Sequence, residues 1–271
     1  MTRILVGRGS AARRARSIRR ASAGLTPIRA GAALVMLLAA LGIYGAGASP
    51  AFSYRHLAVE IDERALVGTE AVRAALDLET TLPNLFLLDT NALETRLEAL
   101  PPVSGADVSV RLPDTVAVRL VERTPILVWA VGQKRLLLDG DGRIFSASAG
   151  AAGVGLPVIV DRRAASAELD VGAQVAPVDL DAATRFASLQ PSQLGSHARG
   201  LIIVIGDENG YELRPEGKGW VAYFGLYTPT LRTPELIPGQ VRLLRSLIEN
   251  REDAIARVTL ADDRNGTYTT Q

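Results

Sequence analysis

The side chains that could carry out nucleophilic catalysis are few. The histidines of the 271-residue chain are His56 and His197. Ser192 and Ser196 lie near His197 in the sequence, but residues so close together in a glycine-flanked loop rarely hold a nucleophile, a base and an orienting group in the required geometry. The chain has no cysteine, which excludes a thiolate nucleophile and a zinc–thiolate site. The sequence therefore predicts no hydrolase site.

Acidic and glycine-rich segments do not predict a metal site either. The run Asp139–Gly142 has the composition of a calcium loop, but Gly150 stands where an EF-hand needs its bidentate acid. A tight turn accounts better for this run, because Asp and Gly tolerate positive φ. Asp262 and Asp263 are adjacent at the end of a predicted strand, where we expect solvation rather than glycosidase chemistry. We therefore expect a protein that is not an enzyme, with no catalytic residues, metals or cofactors.

The remaining chain is organised around one apolar stretch, Ala30–Ser49, which holds no charged side chain. As a helix, about 20 residues rising ~1.5 Å each match the ~30 Å hydrocarbon core of a bilayer. We predict a transmembrane helix over residues 30–50. The alternative is a cleavable signal peptide, because Ala46-Gly47-Ala48 resembles a cleavage site, although the apolar run exceeds the usual ~7–15 residues.

Charge predicts the orientation of this helix. Residues 1–29 contain arginines and no acidic residue, so the remainder of the chain is acidic even though the net charge is +1. Because basic residues beside a span stay in the cytoplasm, we expect the arm inside and everything after Ser49 outside. We interpret the arm as a disordered topology determinant and not as a lipid- or nucleic-acid-binding segment. The topology arginines are Arg13, Arg14, Arg16, Arg19, Arg20 and Arg29.

Residues 52–123 have the pattern of a small domain of order β-α-α-β-β. Apolar residues alternate in the predicted strands and recur at helical spacing in the predicted helices. The predicted elements are a strand at Leu57–Ile61, a helix capped by Thr69 that buries Val72 and Leu76, a helix from Asp89 or Thr90 that buries Leu93, Leu97 and Leu100 and ends before Pro101, and a hairpin that turns at Pro113-Asp114. One small sheet with two helices on one face is expected.

The run from Val59 to Pro125 resembles the POTRA domain of the bacterial division protein family FtsQ/DivIB. The order and spacing of several segments after one basic-flanked span carry this resemblance. These segments are Asn84-Leu85-Phe86 with Asp89, Leu97 to Pro101, Ala106-Asp107-Val108, Arg111 to Thr115 and Val121 to Pro125. The chain departs from the family at Ile61, where glycine is usual, and in the charged connection Asp62-Glu63-Arg64.

Residues 124–261 are predicted to form a second, mainly antiparallel β domain with flanking helices, which makes the fold class α+β. The predicted strands are Ile126–Ala130, Lys134–Leu138, Arg143–Phe145, Leu156–Ile159, Leu201–Ile205, Tyr211–Leu213, Trp220–Gly225 and Ile255–Leu260. Helices are predicted from Asp179 or Asp181 to Leu189 and from Pro238 to Ile248. Residues 262–271 are predicted to be a flexible tail.

The resemblance implies a non-catalytic, single-pass membrane protein of the division septum. Family members use the POTRA domain for recruitment and the β domain to bind FtsB/DivIC and FtsL, which couples assembly to septal peptidoglycan synthesis; septal synthase components are further expected partners. The physical route that we expect is β-augmentation, in which a partner strand completes the ladder of an edge strand. The candidate edge is Ile255–Leu260, and the predicted partner-binding residues are Tyr223, Ile255, Arg257, Val258, Thr259 and Leu260.

Two other classes of protein fit part of the pattern. A secreted envelope protein or enzyme released by signal peptidase would contain the same exported residues. A POTRA-bearing transport or outer-membrane assembly factor would need a long carboxy-terminal barrel of alternating strands, for which the chain is expected to be too short.

Overall fold

The computed structural model of the chain describes residues 27–60, 65–147 and 153–271. The chain divides into two units, Met1–Pro50 and Ala51–Gln271. In the first unit, α1 (Pro27–Ala48) contains a stretch, Gly31–Ala48, that is long and apolar enough to cross a membrane. This helix agrees with the predicted span and has the properties of a membrane anchor.

The second unit begins with a three-stranded domain whose strands and two longer helices follow the expected order, with one additional short helix at Leu78–Thr81. Its strands lie in the order β1-β3-β2, with β1 parallel and β2 antiparallel to β3. A core of its own, which includes Val72, Leu97 and Val116, lies between this sheet and the helices. The elements are β1 (His56–Glu60), α2 (Thr69–Leu76), α3 (Leu78–Thr81), α4 (Thr90–Glu98), β2 (Val103–Arg111) and β3 (Thr115–Glu122).

Residues next to the helix ends explain where the helices of this domain begin, and one predicted helix cap is corrected. Of the two predicted caps of α4, Asp89 and Thr90, the structure has Asp89, whose carboxylate accepts a hydrogen bond from the Ala92 N–H at 3.1 Å. The predicted cap at Thr69 is wrong: Thr69 is the first helical residue, and Gly68 precedes it without a side-chain hydrogen bond. Glu70 lies in the first turn of α2, where the helix dipole favours an acid.

The β domain is built on a nine-stranded sheet of order β12-β11-β10-β9-β8-β7-β4-β5-β6. Helices α5 and α6 contribute Phe186 and Leu244 to the core, where they join strand residues such as Trp129 and Tyr211. The elements are β4 (Leu127–Val131), β5 (Lys134–Leu138), β6 (Ile144–Ala147), β7 (Val158–Asp161), α5 (Pro177–Ala187), β8 (Leu201–Gly206), β9 (Gly210–Pro215), β10 (Val221–Gly225), α6 (Ile237–Ile248), β11 (Ile255–Leu260) and β12 (Gly266–Thr270).

Turn chemistry positions these strands. The predicted hairpin turn before Gly210 joins β8 to β9, and Gly210 has φ +63. A Cβ at Gly210 would lie only 2.0 Å from the backbone carbon of Gly225, so glycine is required there for a close backbone approach. Helix α5 begins at Pro177, before both predicted starts, Asp179 and Asp181, and the proline occupies its first turn.

The carboxy-terminal segment differs from its prediction. Residues 262–271 were expected to be a flexible tail, but Gly266–Thr270 forms β12 and pairs antiparallel with β11. Its sequence, GTYTT, has no apolar alternation, yet threonine and tyrosine are favourable strand residues. The sheet therefore extends one strand beyond the predicted edge.

Candidate protein-interaction edge of the β domain

The predicted interaction strand, β11, is not the edge of the sheet. It pairs in parallel with β10, with Val221 opposite Arg257, and antiparallel with β12, with Thr267 opposite Thr259. Both sides of β11 are therefore occupied by strands of the same chain. The expectation that Ile255–Leu260 offers unpaired backbone groups is wrong, because β12 pairs with them.

The structure separates the six predicted partner-binding residues into two groups. Ile255, Val258 and Leu260 are buried in the core beneath the helices. Tyr223 and Thr259 are register partners on the opposite face of the sheet, and the Arg257 guanidinium lies over the Tyr223 ring, 5.5 Å from its centroid. Only this second group, Tyr223, Arg257 and Thr259, can contact a partner with its side chains.

The outer edge of the described sheet is β12. Opposed residues of an antiparallel pair alternate between hydrogen-bonded and non-hydrogen-bonded pairs. Since the Ala261 N–H donates to the Asn265 carbonyl at 2.9 Å, the alternation makes Val258 and Tyr268 a non-hydrogen-bonded pair. The backbone N–H and C=O groups of Tyr268 thus point away from β11, where an added strand can bind them.

Two other edges of the described sheets are covered. Along β6, the Ile144 N–H donates to the Ala173 carbonyl at 2.9 Å, and the Ile144 carbonyl accepts from Gly172 at 2.8 Å. Along β2, the Glu94 carboxylate of α4 accepts from the Val108 N–H at 2.9 Å. Strand addition at either place would have to displace a bond that already exists.

Buried polar groups hold the turn end of β11. Gln240 of α6 is fully buried, and its amide donates to the carbonyl oxygens of Phe224 at 3.4 Å and Leu260 at 3.3 Å. Arg232 donates to the carbonyls of Leu260 and Ala261. These side chains join β10, β11 and α6, so the strand that carries β12 is rigidly supported. Neither role is detectable from the sequence, because both residues act through backbone groups distant in the chain.

The turn between β11 and β12 is organised by Asp262. Its carboxylate accepts from the Asn265 side chain at 2.7 Å, and from the N–H groups of Arg264 at 2.8 Å and Asn265 at 2.7 Å. These bonds, led by that from the Asn265 side chain, hold the pKa of Asp262 below its ordinary value. Asp262 is thus a turn residue, and the hydrogen bonds from Arg264 and Asn265 stabilise its negative charge without a catalytic partner.

The other end of β11 is fixed by Glu252. Its carboxylate accepts hydrogen bonds from the Ser196 hydroxyl, from the His197 N–H at 3.0 Å and from the Trp220 indole at 2.9 Å. Burial alone would raise the pKa of Glu252, but these bonds outweigh it and hold the pKa below its ordinary value. Since the Ser196 hydroxyl donates to a carboxylate and not to His197, this pair lacks the arrangement of a nucleophile and its base.

A buried ionic network supports the parallel centre of the sheet. The Asp161 side chain is inaccessible to solvent and accepts from the Arg163 guanidinium at 2.8 Å, the Ser166 hydroxyl at 2.6 Å and the Trp129 indole at 3.2 Å. Arg163 also binds Asp179 at 2.8 Å. Burial raises the pKa of Asp161, but the bonds from Arg163 and Ser166 outweigh it and lower the pKa overall. All charges of the network are paired, so it is structural.

The run predicted to be a tight turn is one. The Asp139 carboxylate accepts from the N–H groups of Asp141 at 3.0 Å and Arg143 at 2.8 Å, and from the Arg123 guanidinium at 2.8 Å. Within the described ranges, 27–60, 65–147 and 153–271, no cluster of side chains could hold a metal ion. The predicted topology arginines Arg13, Arg14, Arg16, Arg19 and Arg20 lie outside the described residues, as does the side chain of Arg29.

The described chain thus combines an apolar amino-terminal helix, a small α+β domain with a three-stranded sheet, and a large sheet with an exposed edge strand, which is a surface to which another protein can add a strand. Comparison with known families makes this more specific. Residues 57–123 match the family model described as "POTRA domain, FtsQ-type". The resemblance found in the sequence is confirmed, and the chain carries a POTRA domain of the FtsQ type.

Several relatives share a printed name, cell division protein FtsQ. The protein from Jannaschia is 43% identical over 33% of this chain and 28% of its own length. That from Zymomonas mobilis is 37% identical over 40% of this chain and 34% of its own. A longer match, 26% identical, links 79% of this chain to 70% of the protein from Chloroflexus aurantiacus. The chain thus spans about a third or less of the length of the first two of these relatives.

Proposed function

We propose that this protein is a non-catalytic, membrane-anchored component of the bacterial cell-division complex that binds partner proteins by strand addition to β12. The similarity to proteins named FtsQ supports a role in cell division. The observation that carries the binding mode is the outward-facing backbone of Tyr268 on the edge strand. Partners of the FtsB/DivIC and FtsL type, which the family resemblance implies, would supply the added strand.

The proposed topology has one span. Helix α1 crosses the membrane, the arginine-rich residues 1–29 stay in the cytoplasm, and the POTRA and β domains lie outside. The protein would be enriched at the septum. Retention of the chain in the membrane pellet after a carbonate wash would support this topology, and a mature chain that begins near Ser49 in the culture fluid would contradict it.

Side chains beside the edge would select the partner. Tyr223, Arg257 and Thr259 form a row on the face opposite the helices, next to β12. A guanidinium stacked on an aromatic ring suits a partner that carries a carboxylate beside its added strand. Backbone bonds to β12 would then supply affinity, whereas this row would supply specificity.

The edge is tested by co-purification of the full chain with its division partners. Tyr268→Pro removes the outward N–H, and Tyr268→Ala removes the side chain but keeps that N–H. We expect co-purification to be lost in Tyr268→Pro and largely retained in Tyr268→Ala. Equal retention in both variants, with both shown to be folded by circular dichroism, would exclude strand addition at this position.

The row is tested separately. Arg257→Glu reverses its charge while β11 keeps its backbone pairing on both sides. We expect weaker partner co-purification with an unchanged thermal transition. A fluorescent fusion of the same variant should lose its mid-cell band, while the unaltered chain shows one; uniform envelope fluorescence of the unaltered chain would contradict the division role itself.

A further inference from the structure

Large apolar side chains are exposed at one end of the POTRA domain. Leu82 is 58% exposed, Phe86 50%, Leu87 75% and Leu112 54%. We call these four residues the apolar patch. None of them belongs to the POTRA core, although that core is otherwise continuous between the sheet and the helices.

Backbone contacts place the patch where the chain enters the domain. Phe52 packs edge-to-face on Phe86 with ring centroids 4.9 Å apart, and the Tyr54 N–H donates to the Pro83 carbonyl at 3.0 Å. On the other side, the Arg55 N–H donates at 2.9 Å to the carbonyl of Asp114, in the hairpin turn that contains Leu112. The segments that carry the patch therefore flank residues 52–55.

The opposite end of the domain faces the β domain. Strand β3 runs from the hairpin turn to Glu122, and its eight residues cover about 26 Å at ~3.3 Å per residue. At that far end, the carboxylate of Glu122 accepts from the N–H groups of Leu66 and Val67, and Arg123 binds Asp139. The apolar patch is thus on the end away from the β domain.

The covalent chain limits how far the patch can lie from the end of α1. Phe52 follows Ala48, the last residue of α1, by four positions, which span at most about 14 Å when fully extended. The polar interface of one leaflet is about 5–8 Å deep. If α1 spans the bilayer, this tether keeps Phe52, whose ring packs on Phe86 of the patch, within about 14 Å of the end of the span.

One backbone feature points to a role for the exposed side chain of Leu82. Its φ is +40, a left-handed conformation that costs a non-glycine residue about 1–2 kcal/mol. Glycine or asparagine would adopt it more readily. A leucine there is neither buried in the protein nor favoured by its backbone.

The charges beside the patch are compatible with a lipid surface. Arg55 is exposed and available for anionic headgroups, and His56 lies 3.8 Å from the partly covered Asp114. We infer that the apolar patch inserts into the outer interface of the membrane that α1 spans and holds the POTRA domain against the lipid. This inference rests on the proposed anchoring and assigns a lipid contact to a surface that the division role does not require.

The test uses the full chain in vesicles of phosphatidylethanolamine and phosphatidylglycerol. The chain has no cysteine, so Leu87→Cys can carry a single polarity-sensitive fluorophore. Val121→Cys is the matched control, because Val121 is 57% exposed but lies near the far end of the POTRA domain. We expect the Leu87 label to emit at shorter wavelength and to be quenched several-fold more strongly by spin-labelled lipid.

A second variant tests whether the patch acts as a unit. Leu82→Ser and Leu112→Ser, introduced together with Leu87→Cys, should reduce lipid quenching to the level of the Val121 label. Quenching that is equal at both labels, or that appears at Leu87 only after division proteins are added, would overturn the inference.

Carbonate extraction of the same vesicles separates the two proposals. A chain that resists extraction while its Leu87 label remains in water would overturn the lipid contact alone. A chain that is extracted would overturn the anchor, and with it the lipid contact.

Discussion

At the scale of single residues, the β domain depends on charges that are buried and fully paired. Arg163 is placed between Asp161 and Asp179, and its side chain is only 17% exposed. Removing one partner of a buried pair leaves an uncompensated charge, which is far more destabilising than the loss of a surface pair. The neighbouring serine and tryptophan donors to Asp161 could not replace this positive charge.

Arg163→Met is therefore expected to lower the free energy of unfolding by about 3–5 kcal/mol. Arg185→Met is the control, because its ion pair with Asp181 joins two partly exposed side chains one helical turn apart and should contribute less than about 1 kcal/mol. Urea unfolding monitored by circular dichroism measures both. A similar loss of unfolding free energy in the two variants would show that the buried Asp161 network stabilises the fold no more than the exposed ion pair does.

The lowered pKa of Glu252 predicts that the stability of the fold depends on pH. Its folded pKa lies below the ordinary value of about 4.3, so its bonds stabilise the fold above that pH, and this stability is lost as pH falls through the folded pKa. In Glu252→Gln, we expect a lower urea concentration at the midpoint of unfolding at pH 7. We also expect the free energy of unfolding to fall less steeply as the pH is lowered towards about 3. Parallel pH profiles of the two proteins would contradict this assignment.

At the scale of secondary-structure elements, β12 decides where the sheet can grow. Among the described residues it pairs with β11 alone, and all its residues are exposed. The other edges considered, β6 and β2, have backbone groups bonded to a loop and to a helix carboxylate. Within the described residues, strand addition is therefore easier at β12 than at β6 or β2, where an existing bond has to break first.

The pairing of β12 predicts alternating amide protection. The N–H groups of Thr267 and Thr269 should face β11 and exchange slowly, whereas that of Tyr268 should exchange rapidly. Hydrogen exchange of the full chain, resolved residue by residue, measures this. Addition of a division partner should slow exchange at Tyr268, and protection of Tyr268 in the free protein would contradict the assigned register.

At the scale of the whole second unit, the POTRA and β domains are joined by specific contacts. Arg123 follows the last POTRA strand and donates to the Asp139 carboxylate at 2.8 Å, with both side chains largely buried. Leu66 packs against a small apolar cluster on the β-domain sheet that includes Val128 and Phe145. These contacts favour a fixed junction over two independently moving domains.

A double-mutant cycle measures this junction. Arg123→Ala and Asp139→Ala should be coupled by about 1–3 kcal/mol in the free energy of unfolding, since they share a buried bond. Lys134→Ala and Asp170→Ala form the control cycle, because their pair has the same 2.8 Å distance but is exposed and should be coupled by less than about 1 kcal/mol. Equal coupling in the two cycles would argue against a specific junction.

The sequence by itself determined those structural features that depend only on residues close together in the chain. The uncharged stretch that became α1, the continuous apolar run that became β8, the turn before Gly210 and the cap at Asp89 all use chemistry within a few positions of the chain. Residue order also carried the resemblance to the FtsQ POTRA domain, because the spacing of its turns and helix ends is a linear property. These elements could be predicted without knowing which of them meet in space.

Only the tertiary structure decided which strand forms the edge. The polar run GTYTT has no apolar period, so its strand conformation depends on pairing with β11 and could not be detected locally. The roles of Gln240 and Glu252 are also non-local, because their partners lie 16 to 56 residues away in the sequence. A strand is an edge only by virtue of what lies beside it, and hydrogen bonds between distant segments are set by how the chain packs.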